Sequence, residues 1–458
     1  MNKEIIEYFK NRKHEMIKSI SELVSVPSVR GEAKEGMPFG EKPYEALTTA
    51  LKMADKFGFK TESHDGYVGS VDLNDGVQEL AILAHLDVVP AGEGWSTDPY
   101  TVVERDNMIY GRGVSDDKGP AVAALYAMKA VKDLGLPVSK NCRLILGTDE
   151  ECGSDDLRYY FSKNPYPKIA FTPDANFPLT NGEKGRFTKH FYRTVDFSGC
   201  DKYIKSFTAG EAANAVPAFA KAELVGISAE EFKSAAEKAK ATKADFSFDG
   251  KTVVCTGTSA HASLPENGNN PITAMIELFD CINFDKACSD FVADLKTLFP
   301  HGKYNGESFG VKMNDMLGEL TLTLDTVRFE NGSFDGCFDS RTPMSATKEN
   351  CADVIAEKLA EHGFKIENTE MREAHYVDES SDFIKTLLRV YEDYSGDKGE
   401  CISMGGGTYV HDIENGVAFG AISRDTNTNM HGADEFMPIE DIITAAEIFT
   451  EVIAEICR

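Results

Sequence analysis

The sequence predicts an α/β protein in which a doubly wound, mostly parallel sheet is interrupted by an inserted α+β domain. Helical and strand patterns alternate up to about residue 182, which is the β-α-β rhythm of a parallel sheet with right-handed crossovers. From residue 183 the pattern changes to mixed strands and helices, and after about residue 375 the first pattern resumes. We therefore predict one discontinuous domain, 1–182 with 375–458, and an inserted domain, 183–374.

Local signals place the elements of the discontinuous domain. Met1 to Arg30 interleaves apolar and charged residues and predicts one amphipathic helix. Further helices are predicted from Pro43 to Phe57 and from Pro120 to Leu134, where proline takes its favoured place in the first turn. Apolar runs predict a strand that leads to His85 and another from Arg143 to Gly147, which is followed by an acidic turn.

The inserted domain is predicted from alternating and helical apolar patterns. Its strands are expected at Phe187 to Phe197, Lys251 to Gly257, Glu319 to Phe329 and Gly336 to Arg341. Its helices are expected at Ala229 to Thr242, Asn270 to Ile282 and Ala346 to His362. The return to the first domain is expected to begin with a helix from Asp382 to Tyr394.

The composition argues against several partners. The formal net charge of −27 disfavours binding to nucleic acid or to an anionic membrane. No apolar run approaches the roughly 20 residues of a membrane-spanning helix, and no signal-peptide pattern opens the chain. The ten cysteines are dispersed without a Cys-x-x-Cys pair, which favours reduced thiols and a cytoplasmic location.

Histidines and carboxylates lie in five short loops. His85 and Asp87 are spaced two residues apart after an apolar strand, so both side chains are expected on one face at the strand's carboxyl end. Ligands of open α/β sheets bind at that edge. The other four loops contain Asp116-Asp117, Asp149-Glu150-Glu151, Asp174 and His431. Together they form the ligand inventory of a two-metal hydrolytic site.

Each loop also has an alternative interpretation. An isolated His-x-Asp pair is more often a surface pair than a metal ligand, and an isolated acidic turn is more often solvated. Asp116 and Asp117 precede a predicted helix and suit an N-cap, so one aspartate could bind metal while its neighbour caps. The coincidence of five such loops in one chain favours the metal site.

These motifs resemble those of the dinuclear zinc peptidases that include peptidase V, carboxypeptidase G and the aminoacylases. The resemblance runs from Leu23 to Val29, through His85 to Pro90, to His431 to Glu435. Asp116-Asp117-Lys118-Gly119-Pro120 and Gly405-Gly406-Gly407-Thr408-Tyr409 favour the peptidase V dipeptidases. The resemblance implies that the discontinuous domain is catalytic and that the inserted domain is a lid.

The resemblance also implies which residues bind metal. Its five ligands are His85 and Asp174 for one ion, Glu151 and His431 for the other, and Asp116 as a bridge. Asp116 is preferred over Asp117 because the family's ligand stands two residues before the lysine of this loop. Two divalent ions are expected, with zinc favoured and manganese or cobalt as alternatives, because histidine and carboxylate ligands suit all three.

The expected chemistry is hydrolysis by a water that both metal ions bind. Metal binding lowers the pKa of such a water to about 7. Glu150, next to the ligand Glu151, is the candidate general base that later protonates the leaving amine. Asp87 is expected to accept the proton-bearing ring nitrogen of His85 and so to orient the ring.

The inserted domain supplies further candidates through the resemblance. His261 would stabilise the oxyanion, Asn214 would contact the substrate, and Arg341 would bind the substrate's C-terminal carboxylate as a planar fork. Backbone N–H groups of Gly405, Gly406 and Gly407 would approach the same carboxylate. Without the resemblance, His261 would be interpreted as an exposed loop histidine, Asn214 as a loop residue and the glycines as a flexible segment. For Arg341 a surface salt bridge and a binding role would both remain open.

One position departs from the family pattern, since His411 stands where peptidase V relatives typically have arginine. We predict a metal-dependent dipeptidase that acts on short peptides as a monomer or homodimer. The first alternative is an N-acyl-amino-acid deacylase or desuccinylase of the same superfamily, and the second is a non-catalytic metal-binding protein with this fold. Glu150 beside a complete ligand set argues against the second alternative, because binding a metal needs no general base.

Overall fold

A computed structural model describes all 458 residues, Met1 to Arg458. The chain forms two compact units. Unit 1 comprises Met1–Gly182, Tyr376–Ile402 and Gly407–Arg458, and unit 2 comprises Glu183–His375 and Ser403–Gly406. The predicted division differs at His375 and at Ser403–Gly406, which were expected in the discontinuous domain and belong to unit 2.

The first segment of unit 1 alternates helices and strands. Its helices are α1 (Lys3–Lys10), α2 (Lys13–Val24), α3 (Glu41–Lys56), α4 (Lys118–Asp133) and α5 (Asp155–Lys163), with a 3₁₀ turn at Glu150–Cys152. Its strands are β1 (Lys60–His64), β2 (Val68–Asp72), β3 (Gln78–His85), β4 (Val103–Arg105), β5 (Met108–Tyr110), β6 (Asn141–Gly147), β7 (Ile169–Thr172), β8 (Ala175–Asn176) and β9 (Leu179–Glu183).

The prediction of one helix from Met1 to Arg30 is wrong, because α1 and α2 are separate and α2 ends at Val24. Between Phe9 and Met16 no apolar side chain continues the buried stripe, so packing does not support a continuous helix. The side chain of Asn11 instead donates a hydrogen bond to the carbonyl of Glu7 at the end of α1.

Unit 2 contains an antiparallel sheet and four helices. Its strands are β10 (Gly185–Thr194), β11 (Tyr203–Ala209), β12 (Ala215–Val216), β13 (Phe219–Val225), β14 (Asp245–Phe248), β15 (Thr252–Thr256), β16 (Ala260–His261), β17 (Asn314–Asp315), β18 (Gly318–Glu319), β19 (Thr321–Glu330), β20 (Ser333–Thr342) and β21 (Lys365–Ile366). Its helices are α6 (Ala229–Lys238), α7 (Pro271–Asp280), α8 (Lys286–Leu298) and α9 (Asp353–Glu361). A π-helical turn at Lys348–Ala352 leads into α9.

The chain then returns to unit 1. The remaining elements are β22 (His375–Tyr376), α10 (Asp382–Ser395), β23 (Cys401–Met404), β24 (Gly416–Ala418), β25 (Ala421–Ile422), β26 (Phe436–Pro438) and α11 (Ile439–Ile456). None of the helices is both long and apolar enough to span a bilayer.

The sheet of unit 1 has nine strands in the order β1-β2-β6-β3-β7-β24-β9-β22, with β23 paired to β9. The four central strands β6, β3, β7 and β24 run parallel. Leu80, Ile82 and Ala84 of β3 join a core with residues of α4 and α11, whereas Ala81 and Leu83 join a second core with residues of α5. Both faces of the sheet are therefore covered, and the predicted α/β fold class is confirmed.

The main sheet of unit 2 has eight strands in the order β14-β15-β13-β11-β19-β20-β10-β21. Neighbouring strands are antiparallel, and β19 and β20 form its long central hairpin. Phe207 and Phe329 of the sheet share a core with Phe279 of α7 and Phe291 of α8. An antiparallel sheet with helices packed on it is the α+β arrangement that the sequence predicted.

Candidate metal centre

The carboxyl ends of three adjacent parallel strands carry candidate ligands. β3 ends at His85, which pairs in register with Gly147 at the end of β6. The 3₁₀ turn with Glu150 and Glu151 follows β6, and Asp174 follows β7. Since the three strands are neighbours and parallel, their ends meet at one edge of the sheet.

Two groups of candidate ligands share Asp116. One group contains His85, Asp116 and Asp174, the other contains Asp116, Glu151 and His431, and the ligand atoms of each lie within 4.8 Å of one another. Asp116 Oδ1 lies 2.8 Å from His85 Nε2, and Asp116 Oδ2 lies 2.9 Å from His431 Nε2. The two oxygens of one buried carboxylate therefore point to different groups.

The remaining carboxylates complete the two groups. Asp174 Oδ2 lies 3.7 Å from His85 Nε2, and Glu151 Oε1 lies 3.2 Å from His431 Nε2. The side chain of His431 is 52% exposed, whereas that of His85 is 1% exposed. One group is thus enclosed and the other opens toward solvent.

The residues fit a pair of cations. His85 Nε2 is buried and makes no hydrogen bond, although Asp116 Oδ1 is close by. Buried polar atoms are normally paired, and an unpaired ring nitrogen beside carboxylates is the donor set that a divalent metal takes. Burial opposes ionisation of Asp116, but the nearby imidazole groups of His431 and His85 outweigh burial and lower its pKa. Hydrogen bonds that its ring N–H donates to the carboxylates of Asp116 and Glu151 raise the pKa of His431 to about 10.

Asp87 contacts both His85 and the acidic turn. Its backbone carbonyl oxygen lies 3.0 Å from His85 Nδ1, and its carboxylate Oδ1 lies 3.4 Å from the same nitrogen. The two carboxylate oxygens accept hydrogen bonds from the backbone N–H groups of Glu150 and Glu151, each at 3.1 Å. Asp87 is therefore adjacent to the ring, with its backbone carbonyl as the nearer oxygen, and its carboxylate holds the turn.

Glu150 lies among the candidate ligands. Burial raises the pKa of the Glu150 carboxyl group well above its usual value, and the charges of Asp174, Glu151 and Asp116 raise it further, while His85 lowers it. A carboxyl group with a raised pKa at such a position has the chemistry of a general acid–base.

Asp117 does not cap α4. It occupies the N-cap position, but its side chain makes no capping hydrogen bond. Its Oδ2 instead accepts the backbone N–H of His85 at 3.0 Å. The capping alternative is therefore wrong, because the Asp117 carboxylate accepts the buried N–H at the end of β3 instead of an N–H in the first turn of α4.

His261 and Asn214 lie on one small ribbon of unit 2. Strands β12 and β16 pair so that Ala215 faces His261, and the N–H of Ala262 donates to the carbonyl of Asn214 at 2.9 Å. Both side chains are exposed, and His261 Nδ1 lies 2.6 Å from Ser263 Oγ. The structure thus brings these two predicted substrate residues next to each other.

Arg341 is buried in unit 2. Its Nε and Nη2 donate to the two oxygens of Asp339 at 2.6 and 3.3 Å, and its Nη1 donates to the carbonyl of Gly405 at 2.7 Å. A side chain at Gly405 would meet Ser263, because a Cβ there would lie 2.5 Å from the Ser263 Cβ. Arg341 is therefore not part of a surface salt bridge, which was the alternative interpretation. Gly406 shares unit 2, whereas Gly407 and the buried His411 belong to unit 1.

Two buried side-chain pairs without a predicted role hold segments next to the candidate ligands. Asp156 Oδ2 accepts the N–H groups of Thr148 and Asp149 at 2.6 and 3.0 Å, and it accepts the hydroxyl of Tyr409. Arg112 and Glu435 form a buried ion pair at 2.6 Å. Tyr409 and Glu435 stand in motifs that carry the resemblance, which was the only signal for them. No local pattern marks Asp156 or Arg112.

The chain matches the model of Peptidase family M20/M25/M40 over residues 81–455. It is 34% identical over 460 residues to a Beta-Ala-Xaa dipeptidase of Lactobacillus delbrueckii subsp. lactis, covering 98% of this chain and 97% of the relative. It is 33% identical over 462 residues to a putative dipeptidase of Bacillus subtilis, covering 98% of both. The crystal structure of human carnosine dipeptidase 1 shares the fold, with a TM-score of 0.59, 15% identity and full coverage of both chains.

The chain therefore belongs to Peptidase family M20/M25/M40. The predicted resemblance to dinuclear metallopeptidases and their dipeptidase members is confirmed.

Proposed function

We propose that the protein is a dipeptidase that depends on two divalent metal ions, both of which Asp116 would help to hold. The observation that carries the proposal is the placement of Asp116, whose two oxygens lie 2.8 and 2.9 Å from the ring nitrogens of His85 and His431. A carboxylate that serves two ligand groups is the arrangement of a two-metal hydrolytic site. The names of the two bacterial relatives support peptides as the substrate class.

The proposed ligands follow the two groups. His85 and Asp174 would hold one ion, Glu151 and His431 would hold the other, and Asp116 would hold both. When bound, the ions supply Lewis acidity that activates water and polarises a carbonyl group. We propose zinc as the metal, with manganese and cobalt as alternatives, because the donors are imidazole and carboxylate without thiolate.

Glu150 is the proposed general base. It takes the proton of the attacking water at its carboxylate and returns that proton to the nitrogen of the leaving amine. The backbone N–H of Glu150 donates to the carboxylate of Asp87, which lies two residues after His85. This connection gives the base and the ligand His85 a common support.

The substrate-binding roles in unit 2 rest on the family resemblance. We propose that His261 donates its ring N–H to the developing oxyanion, that Asn214 contacts the substrate, and that Arg341 binds its C-terminal carboxylate. Asp339 holds the Nε side of Arg341, so the guanidinium is oriented within unit 2. We propose the glycine segment Gly405 to Gly407 as part of the same carboxylate site.

We also propose that the unit 1 and unit 2 divisions correspond to a catalytic domain and a lid domain. A cytoplasmic location is supported by the ten cysteines, all of which are free thiols.

A substrate panel tests the function. Metal-free protein is reconstituted with zinc, manganese or cobalt and assayed on free dipeptides, N-acetylated dipeptides and tripeptides. We expect metal-dependent hydrolysis of free dipeptides, with little activity on N-acetylated ones. Cleavage of the N-acyl bond alone would identify a deacylase, and metal binding without hydrolysis of any substrate would identify a non-catalytic metal-binding protein.

A further inference from the structure

A buried ion pair connects three loops around the metal centre. Arg112 is 1% exposed and Glu435 is 0% exposed, and Arg112 Nη1 lies 2.6 Å from Glu435 Oε2. They are separated by 323 residues in the chain. Neither side chain belongs to the ligand groups, so the pair acts on the centre through the backbone.

Glu435 binds the loop that carries Asp116. Its carboxylate accepts the N–H of Gly113 at 3.1 Å, and the N–H and hydroxyl of Ser115 at 3.0 and 2.9 Å. A carboxylate with several N–H donors and a guanidinium partner is a strong anchor, since charge-assisted hydrogen bonds are the stronger ones. The loop of Asp116 is therefore fixed to a residue that follows His431 by four positions.

Arg112 binds the other two loops. Its Nη2 donates to the carbonyl of Gly432 at 3.1 Å, directly after His431. The same nitrogen donates to the carbonyl of Ala91 at 3.3 Å, in the segment that follows His85 and Asp87. One guanidinium thus joins the segment of His431 to the segment that leaves β3.

The backbone of His431 needs such support. His431 has φ of 63°, and its neighbours Asn429 and Asp434 also lie in the left-handed region with φ of 55° and 54°. A residue other than glycine in this region is strained and persists where the surroundings hold it. Because the His431 side chain is half-exposed, its position depends more on backbone anchors than on packing.

We infer that the Arg112–Glu435 pair is a positioning device that sets the metal affinity of the Glu151 and His431 side of the centre. The inference rests on the proposed two-metal function. Loss of the pair would release the segment of His431 from the loop of Asp116, whereas His85 and Asp174 keep their places at the ends of β3 and β7. The affinity for the ion at Glu151 and His431 would therefore fall, while the affinity for the ion at His85 and Asp174 would stay unchanged.

Zinc titration of Glu435→Gln tests the inference. The substitution keeps the side-chain shape but removes the charge that binds Arg112 and the N–H groups. Zinc affinity is measured by competition with a chromophoric chelator, and zinc content is measured by elemental analysis after dialysis. We expect one zinc to bind about 10–100-fold more weakly, as for other supporting residues of metal sites, while the other keeps its wild-type affinity.

Asp72→Asn is the matched control, because Asp72 of β2 forms a partly buried ion pair with Arg143 of β6 at 2.9 Å and neither residue belongs to the ligand groups. It should bind two zinc ions like the wild type. Thermal unfolding of the metal-free variants measures the loss of stability separately. Ser115→Ala, which removes one hydrogen bond to Glu435 and keeps the ion pair, should weaken the same single zinc to a smaller extent.

Each outcome separates the inference from the proposed function. Two zinc ions of wild-type affinity in Glu435→Gln, or an equal fall in both affinities, would overturn the positioning role. If Glu435→Gln does not fold, wild-type affinities at both sites in Ser115→Ala would overturn it. A wild-type protein that binds fewer than two zinc ions would instead contradict the proposed function.

Discussion

Carboxylates at the centre divide into those that face the ligand groups and those that hold the loops. Asp87, Asp117, Asp156 and Glu435 are each at most 1% exposed, and each accepts backbone N–H groups of the ligand-bearing segments. A buried charge is tolerated when it is hydrogen-bonded. The backbone N–H groups therefore satisfy these four buried carboxylates, and the same hydrogen bonds fix the positions of the segments that carry the ligands.

Glu150→Gln should keep both metals and lose turnover. The amide cannot take a proton from water, and removal of a general base typically costs about 10²–10⁴-fold in rate. Metal content by elemental analysis and the rate of dipeptide hydrolysis are measured on the same sample. Asp155→Asn, at an exposed acidic residue just after this turn, is the control and should remain active. A metal-loaded Glu150→Gln protein with near wild-type rate would remove Glu150 from the mechanism.

Arg341 should make hydrolysis depend on a free C-terminal carboxylate in the dipeptide substrate. If its guanidinium binds the substrate carboxylate, an amide in that position loses charge-assisted hydrogen bonds worth about 1.5–3 kcal/mol, while Arg341 keeps its pairing with Asp339. The ratio of kcat/KM for a dipeptide and its amide measures this difference in the wild-type enzyme. Arg341→Ala should abolish most of the ratio. Equal rates on both substrates in the wild type would exclude the anchor.

At the scale of elements, Tyr409 and Asp156 join the end of β6 to the segment before β24. The Tyr409 hydroxyl and the N–H groups of Thr148 and Asp149 converge on one oxygen of Asp156. Gly147 leaves room for this contact, since a Cβ there would lie 2.0 Å from the Tyr409 hydroxyl oxygen. The acidic turn is thus held by Asp156 after β6 as well as by Asp87 after β3.

Tyr409→Phe should lower kcat without loss of metal. Removing one hydrogen-bond partner of a buried group costs about 1–3 kcal/mol, so the turn that carries Glu150 becomes less well held. Steady-state kinetics, metal analysis and thermal unfolding are compared with Tyr160→Phe, whose hydroxyl accepts from Arg143 away from the turn. A kcat equal to that of the control variant would show that the Tyr409 hydroxyl does not support the turn.

Strands and helices were predicted where one stretch of sequence carries its own signal. Polar ligands directly after the apolar runs of β3 and β6 located two strand ends, and Pro120 located the start of α4. The break between α1 and α2 escaped prediction because the charges of Lys10 to Glu15 suit an exposed helix as well as a turn. No element was predicted over α8 or α11, although both helices have buried apolar residues at helical spacing.

At the scale of the whole molecule, the proposed catalytic groups belong to both units. Unit 1 contains the candidate ligands and Glu150, whereas unit 2 contains His261 and Arg341.

The supporting residues could not be predicted from the sequence. Arg112 and Glu435, like Asp156 and Tyr409, are far apart in the chain and come into contact only in the folded protein. The ligands could be named because each stands in a short motif of the resemblance.

His261→Ala should leave the metals in place and reduce turnover. Loss of one donor to a developing oxyanion costs about 10²–10³-fold in kcat. Zinc content and kcat are compared with His190→Ala, another exposed histidine of unit 2 that pairs with Asp335. A wild-type kcat in the His261 variant would show that His261 does not stabilise the developing oxyanion.

Zinc stoichiometry in variants of the two neighbouring aspartates decides whether Asp116 serves both metal ions. Asp116→Ala and Asp117→Ala are loaded with zinc, dialysed and analysed for zinc per chain. Asp116 lies within reach of both histidines, whereas Asp117 binds a backbone N–H. We predict that Asp116→Ala loses at least one zinc together with its activity, and that Asp117→Ala retains two. Loss of zinc from the Asp117 variant with retention in the Asp116 variant would contradict the proposed bridge.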